Sequence, residues 1–167
     1  MMEKNYKKMG GWLLVFLVFR AIAIVANLNL LNQTAGIKTE IEIVARYYGS
    51  GYMMTYYLVI VDTIISIAGN IGIIILLFKK NKAALRWIKK ILVSIVMIDI
   101  AIGVGSMLYL SSIVSESVFS SSDVSNIIGA LTGLVLWYQY LAKSSRVATY
   151  FDENYEESIE TIDVIVD

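Results

Sequence analysis

Cysteine, histidine and proline are all missing from this chain. Without Cys and His, zinc, haem and iron–sulfur sites of the usual ligand types are excluded. A cysteine nucleophile, a histidine general base and a structural disulfide are excluded with them. The missing cysteine says nothing of redox compartment. Without proline, any helix kink has to come from glycine or from a local polar insertion. Charge is scarce too. Only 17% of residues are charged and 57% are hydrophobic, against about 25% and about 45–50% in an ordinary soluble domain.

The apolar excess is gathered into four blocks: Gly11–Leu31, Met54–Phe78, Ile91–Leu110 and Val124–Leu141. A helix of about 20 residues crosses the ~30 Å hydrocarbon core of a bilayer. The expected fold is therefore all-α: an integral membrane four-helix antiparallel bundle. Residues 1–151 form one membrane domain, with no room for a second globular domain. The N-terminal run could be taken for a signal peptide, but it continues through Leu31 and carries Arg20. We read it as a retained first span.

Net charge is zero, yet its distribution is uneven. Lys4, Lys7 and Lys8 precede span one. Lys79, Lys80, Lys82, Arg86, Lys89 and Lys90 fill the connection between spans two and three, and Lys143 and Arg146 follow span four. These are all of the 14 basic residues except Arg20, Lys38 and Arg46. The positive-inside rule then puts both termini in the cytoplasm, N-in and C-in. The basic connection is a topology signal, and no nucleic-acid partner is expected. Trp12, Trp87 and Trp137 all fall on the same predicted inner side, where indole prefers to sit.

Between spans one and two, Ile37, Ile41, Val44 and Tyr48 recur at helical spacing. This predicts a short interfacial helix in the first outer loop, with a strand at Ile41-Glu42-Ile43 as the alternative. The second outer segment, Ser111–Asp123, reads as a solvated connector. Residues 152–167 hold seven acids and no Lys or Arg. They read as a disordered acidic cytoplasmic tail, or else as a docking segment near Lys79–Lys90.

Arg20, Asp62 and Asp99 lie inside spans. Each costs about 2.5–3.5 kcal/mol near a bilayer centre, so pairing or a wet interior is expected. At 1.5 Å rise per residue, Arg20 and Asp99 lie roughly 14 Å from the inner ends of their spans, Asn70 about 12 Å and Asp62 about 24 Å. This predicts two layers: Arg20 paired with Asp99 and assisted by Asn70, then Asp62 with Asn27 nearer the outside. Asp62, Ser66, Gly69 and Asn70 share one helical face, as do Asp99, Gly103 and Ser106. Ser125, Gly129 and Gly133 form a small-residue ladder, read as packing inside the bundle, with a homodimer or another membrane-protein partner as the alternative. The charged set is read as a structural network, with a polar path or small-ligand site as the other use. No nucleophile, metal set or phosphate-cradling loop accompanies it. No catalytic residue, metal or cofactor is assigned, and an enzyme is not expected.

Two motifs bracket the spans. Met9-Gly10-Gly11-Trp12-Leu13 opens them. Trp137-Tyr138-Gln139-Tyr140, then Lys143-Ser144-Ser145-Arg146-Val147 and Tyr150-Phe151, close them. Their order and spacing resemble the G-G-W-L and W-x-P-Y…K-S-x-R-V…T-F motifs of YdgK-like bacterial inner-membrane proteins. Gln139 replaces the usual Pro and Tyr150 the usual Thr. The resemblance implies a four-span domain in the bacterial inner membrane and supplies no activity, since that family is one of unknown function. Gly10, Gly11, Trp12, Trp137, Tyr140, Ser144 and Arg146 are expected to meet at the inner interface, as a structural lock or as a lipid-headgroup or partner site. The function expected is that of a non-enzymatic scaffold or accessory. The alternative is a small transporter or ion-coupled carrier using Arg20, Asp62 and Asp99.

Overall fold

The computed structural model describes residues 9, 11–114 and 120–152. Its elements, in order, are α1 (Trp12–Gly36), α2 (Lys38–Tyr48), α3 (Gly51–Phe78), α4 (Lys82–Val114), α5 (Ser121–Lys143) and α6 (Ser145–Tyr150). Four of these, α1, α3, α4 and α5, are long and apolar enough to cross a membrane. No strand occurs among the described residues. The acidic tail beyond Asp152 and Gly10 lie outside them.

The helices outrun the apolar blocks, because membrane spans extend into the interface. Asn81 caps α4, its Oδ1 accepting from the Ala84 N–H at 2.6 Å, as short polar side chains do at helix starts. Arg86, Lys89 and Lys90 are therefore helical, and the connection shrinks to a turn around Lys80, at φ 47°. At the opposite end α4 runs through the expected connector to Val114. A capping box starts α5: Asp123 N–H donates to Ser120 Oγ at 3.3 Å, and Ser120 N–H to Asp123 Oδ2 at 2.9 Å. Between α1 and α3 the expected amphipathic helix is α2, and the strand alternative is set aside.

The packing has an order. Helix α3 lies between α1 and α4, and α5 packs on α4. Gly69 sets the α3–α4 approach, since a Cβ there would overlap Ile95. The core gathers at the end that carries the basic turn. There Leu13 and Phe16 of α1, Ile73 and Leu77 of α3, Ala84, Ile88 and Leu92 of α4, and Leu141 of α5 close around Val147, Tyr150 and Phe151. The Tyr150 hydroxyl donates to the Leu77 carbonyl at 3.0 Å and satisfies a helix-terminal acceptor. Burial pushes its phenol above the ordinary value. In contrast, Leu141 is the only described residue of α5 that is buried.

Candidate functional site

The polar side chains of the spans form two groups, one on each side of the α3 face that carries Asp62, Ser66 and Asn70. The first group joins α1 to α3. Asn70, only 2% exposed, donates through Nδ2 to the Ser66 carbonyl at 2.7 Å and to Ser66 Oγ at 3.4 Å. Its Oδ1 accepts from Arg20 Nη1 at 3.3 Å. Seven residues further along α1, Asn27 Nδ2 donates to the same Ser66 Oγ at 2.9 Å. The Arg20 guanidinium also lies 5.0 Å from the Phe16 ring centre, a cation–π arrangement that stands in for water on one face of the cation.

The second group joins α3 to α4. Asp62 is half-buried, Asp99 is exposed, and the two carboxyls are close enough to interact electrostatically. Asp99 also opens into a cleft of about 160 Å³ between α4 and α5, shared with Gly103, Met107, Asp123, Asn126 and Ala130. Asn126 itself is exposed.

This corrects the expected layers. Arg20 is held by Asn70, and no ion pair joins it to Asp99 among the described residues. Asp99 belongs with Asp62 instead. The reason lies in the register. With Gly69 set against Ile95 in an antiparallel pair, Phe78 comes level with residue 86, not with Ile91. Five residues of rise, about 8 Å, separate the two reference points used to estimate depth. The sandwich order matters as well, because α3 stands between Arg20 and α4. Asn27 shares the Arg20 network through Ser66 and is not bonded to Asp62.

The glycine ladder is a second correction. A Cβ at Gly129 or Gly133 would meet nothing within 4 Å, so the ladder does not pack inside the bundle. Ser125 turns back on its own helix, donating to the Ser121 carbonyl at 3.0 Å.

The two end motifs do meet. Gly11 adopts φ +56°, and a Cβ there would stand 3.2 Å from Arg146 Nη1. Both the backbone conformation and the crowding favour glycine at this position. Phe16 and Phe19 lie 4.9 and 6.1 Å from Trp137, and Tyr140 packs edge-on to Trp137 at 6.1 Å. Trp12, Leu136, Trp137 and Tyr140 line an apolar surface cavity of about 360 Å³. Ser144 Oγ accepts from the Val147 N–H at 3.4 Å and caps α6. Lys82 Nζ pairs with Asp152 Oδ1 at 3.2 Å, which brings the start of the acidic tail to the basic turn, the alternative considered for that tail. The two opposite charge blocks were the available signal.

A family model described as "Protein of unknown function (DUF2569)" matches residues 6–151. The chain belongs to this family. The match spans both end motifs and all four candidate membrane helices of this chain. Neither a curated protein nor a solved structure matches the chain.

Proposed function

We propose that this member of the DUF2569 family is a non-enzymatic accessory or scaffold that engages a second membrane component through α5 and the α4–α5 cleft. The observation that carries this reading is the uncovered polar cleft, with Asp99 and Asn126 exposed on spans. A carboxyl left facing hydrocarbon costs about 2.5–3.5 kcal/mol, and a partner helix lowers that cost by covering it. The open Gly129/Gly133 face supports the same reading, since small residues let a neighbouring helix approach closely. The end-motif resemblance and the loop charges support a location in the bacterial inner membrane with both termini in the cytoplasm.

The natural absence of cysteine makes the test clean. Single variants Gly129→Cys on the open face and Ile88→Cys in the core are cross-linked in native membranes. The products are then identified after extraction in mild detergent. Cross-linking of Gly129→Cys to another copy or to one distinct membrane protein is the expected result. An adduct-free Gly129→Cys variant, with the wild type running as a lone monomer, overturns it.

The carboxyl pair favours a second reading, an ion-coupled carrier using Asp62 and Asp99, with Arg20 as a fixed cation in the α1–α3 group. Carboxyls inside spans mark proton relays in pumps and transporters. In proteoliposomes this reading expects pH-driven flux that disappears in Asp62→Asn or Asp99→Asn. Flux unchanged in both variants excludes it.

A further inference from the structure

We infer that the first turns of α4, together with Tyr138 of α5, form a headgroup site for an anionic phospholipid. Arg86, Lys89, Lys90, Val93 and Ser94 line an open cavity of about 520 Å³ that Tyr138 closes on the α5 side. Positions 86, 89, 90 and 93 recur at helical spacing and so share one face. Arg86 and Lys90 also line an adjoining recess of about 140 Å³ with Ala83 and Trp87.

Three features select the ligand. The first is charge: three cations converge, and the ion pairs found among the described residues, Lys38–Glu42 and Lys82–Asp152, use none of them. The second is depth. Lys89 Nζ stands 6.0 Å from the Tyr138 ring and Lys90 Nζ 5.1 Å from the Trp87 ring. Trp and Tyr rings mark the headgroup level of a bilayer, and basic residues at that level attract acidic lipids. The third is the mixed lining. Arg86 offers a planar fork to phosphate oxygens, Ser94 and Tyr138 offer hydroxyls, and Val93 continues as an apolar wall toward the spans. A soluble anion would use only the first two parts of this lining, whereas a phospholipid uses all three. The chain's own acidic tail carries the right charge for the cavity, but its first acid, Asp152, is held at Lys82.

The test uses the full-length protein in nanodiscs of phosphatidylcholine, with and without about one-quarter phosphatidylglycerol, and native mass spectrometry of retained lipid. The expected result is selective retention of phosphatidylglycerol. At about fivefold per basic residue near the surface, Arg86→Gln should weaken retention about fivefold. Arg86→Gln/Lys89→Gln/Lys90→Gln should weaken it at least about tenfold more. The equal charge loss Lys79→Gln/Lys80→Gln/Lys82→Gln should change it by less than about threefold. Equal losses in the two triple variants would reduce the effect to diffuse electrostatics and overturn the site. Displacement of lipid by millimolar inorganic phosphate would make it a soluble-anion site. Retention that appears only after removal of residues 153–167 would make the acidic tail its occupant. Either result overturns the lipid assignment.

Discussion

At the basic end, α1, α3, α4, α5 and α6 converge on Phe16, Leu77, Ile88, Leu141 and Phe151, each at most 1% exposed. In the opposite half, α5 carries Ile128 and Leu131 at 59% and 40% exposure, and Gly129 faces nothing. Both halves carry large apolar side chains, so apolar character alone does not account for the difference. Lipid tails are as apolar as leucine, and helices in a bilayer associate by shape, small residues and polar contacts. The basic end has all of these. Its rings interdigitate, Tyr150 ties off α3, and Gly11 lets Arg146 come close. The other half has a close α3–α4 approach and an α5 that stands off, leaving polar side chains in the gap between them. The closed end holds the bundle together and the open half leaves one face of α5 uncovered.

The largest effect that would break this comparison comes from truncating one side chain in each half. Phe16→Ala removes the contact with Trp137 and the ring beneath Arg20, and should cost about 3–5 kcal/mol. Ile128→Ala on α5, where the side chain is 59% exposed, should change stability by less than about 0.5 kcal/mol. Reversible unfolding in mixed micelles measures both. Similar losses at the two positions would mean that α5 is packed along its whole length.

A smaller contrast uses two glycines that look alike in sequence. Gly69→Val drives a side chain into Ile95 and should cost about 1–3 kcal/mol through overpacking. Gly129→Val meets open space and should leave the isolated protein within about 0.5 kcal/mol of wild type. In native membranes the same Gly129→Val variant should lose its cross-linkable neighbour. Destabilisation of the isolated protein by Gly129→Val would place the ladder inside the bundle after all.

These glycines also show what could be read in advance. The spans, their order, the interfacial α2 and the meeting of the end motifs were legible, because apolar length, charge and Trp placement act locally. Membership of the polar network was legible for Arg20, Asn27, Asp62, Asn70 and Asp99, since each is costly in lipid wherever it lies. Its pairing was not. Pairing depends on register, and register depends on where Gly69 lets two helices touch, which neither residue type nor distance from a span end reveals. GxxxG on α5 scored as well as Gly69 by pattern, yet only Gly69 has a neighbour. The capping box at Ser120 was legible from Ser and Asp three residues apart, but it was read as part of a connector.

The smallest effect is the sharpest on pairing. The Arg20–Asn70 contact is a single charge-to-amide hydrogen bond of 3.3 Å, and interhelical hydrogen bonds in membranes average only about 0.6 kcal/mol by double-mutant cycle. Arg20→Ala and Asn70→Ala should therefore couple by about 0.6 kcal/mol. Arg20→Ala and Asp99→Ala should add to within about 0.5 kcal/mol, because α3 separates the two side chains. The Asp62→Ala and Asp99→Ala cycle should couple, because the two carboxyls interact across the α3–α4 contact. Strong Arg20–Asp99 coupling with an additive Asp62–Asp99 pair would reverse the two groups. It would also move the fixed cation into the α4–α5 cleft, and the open half would then present a neutralised ion pair in place of two carboxyls.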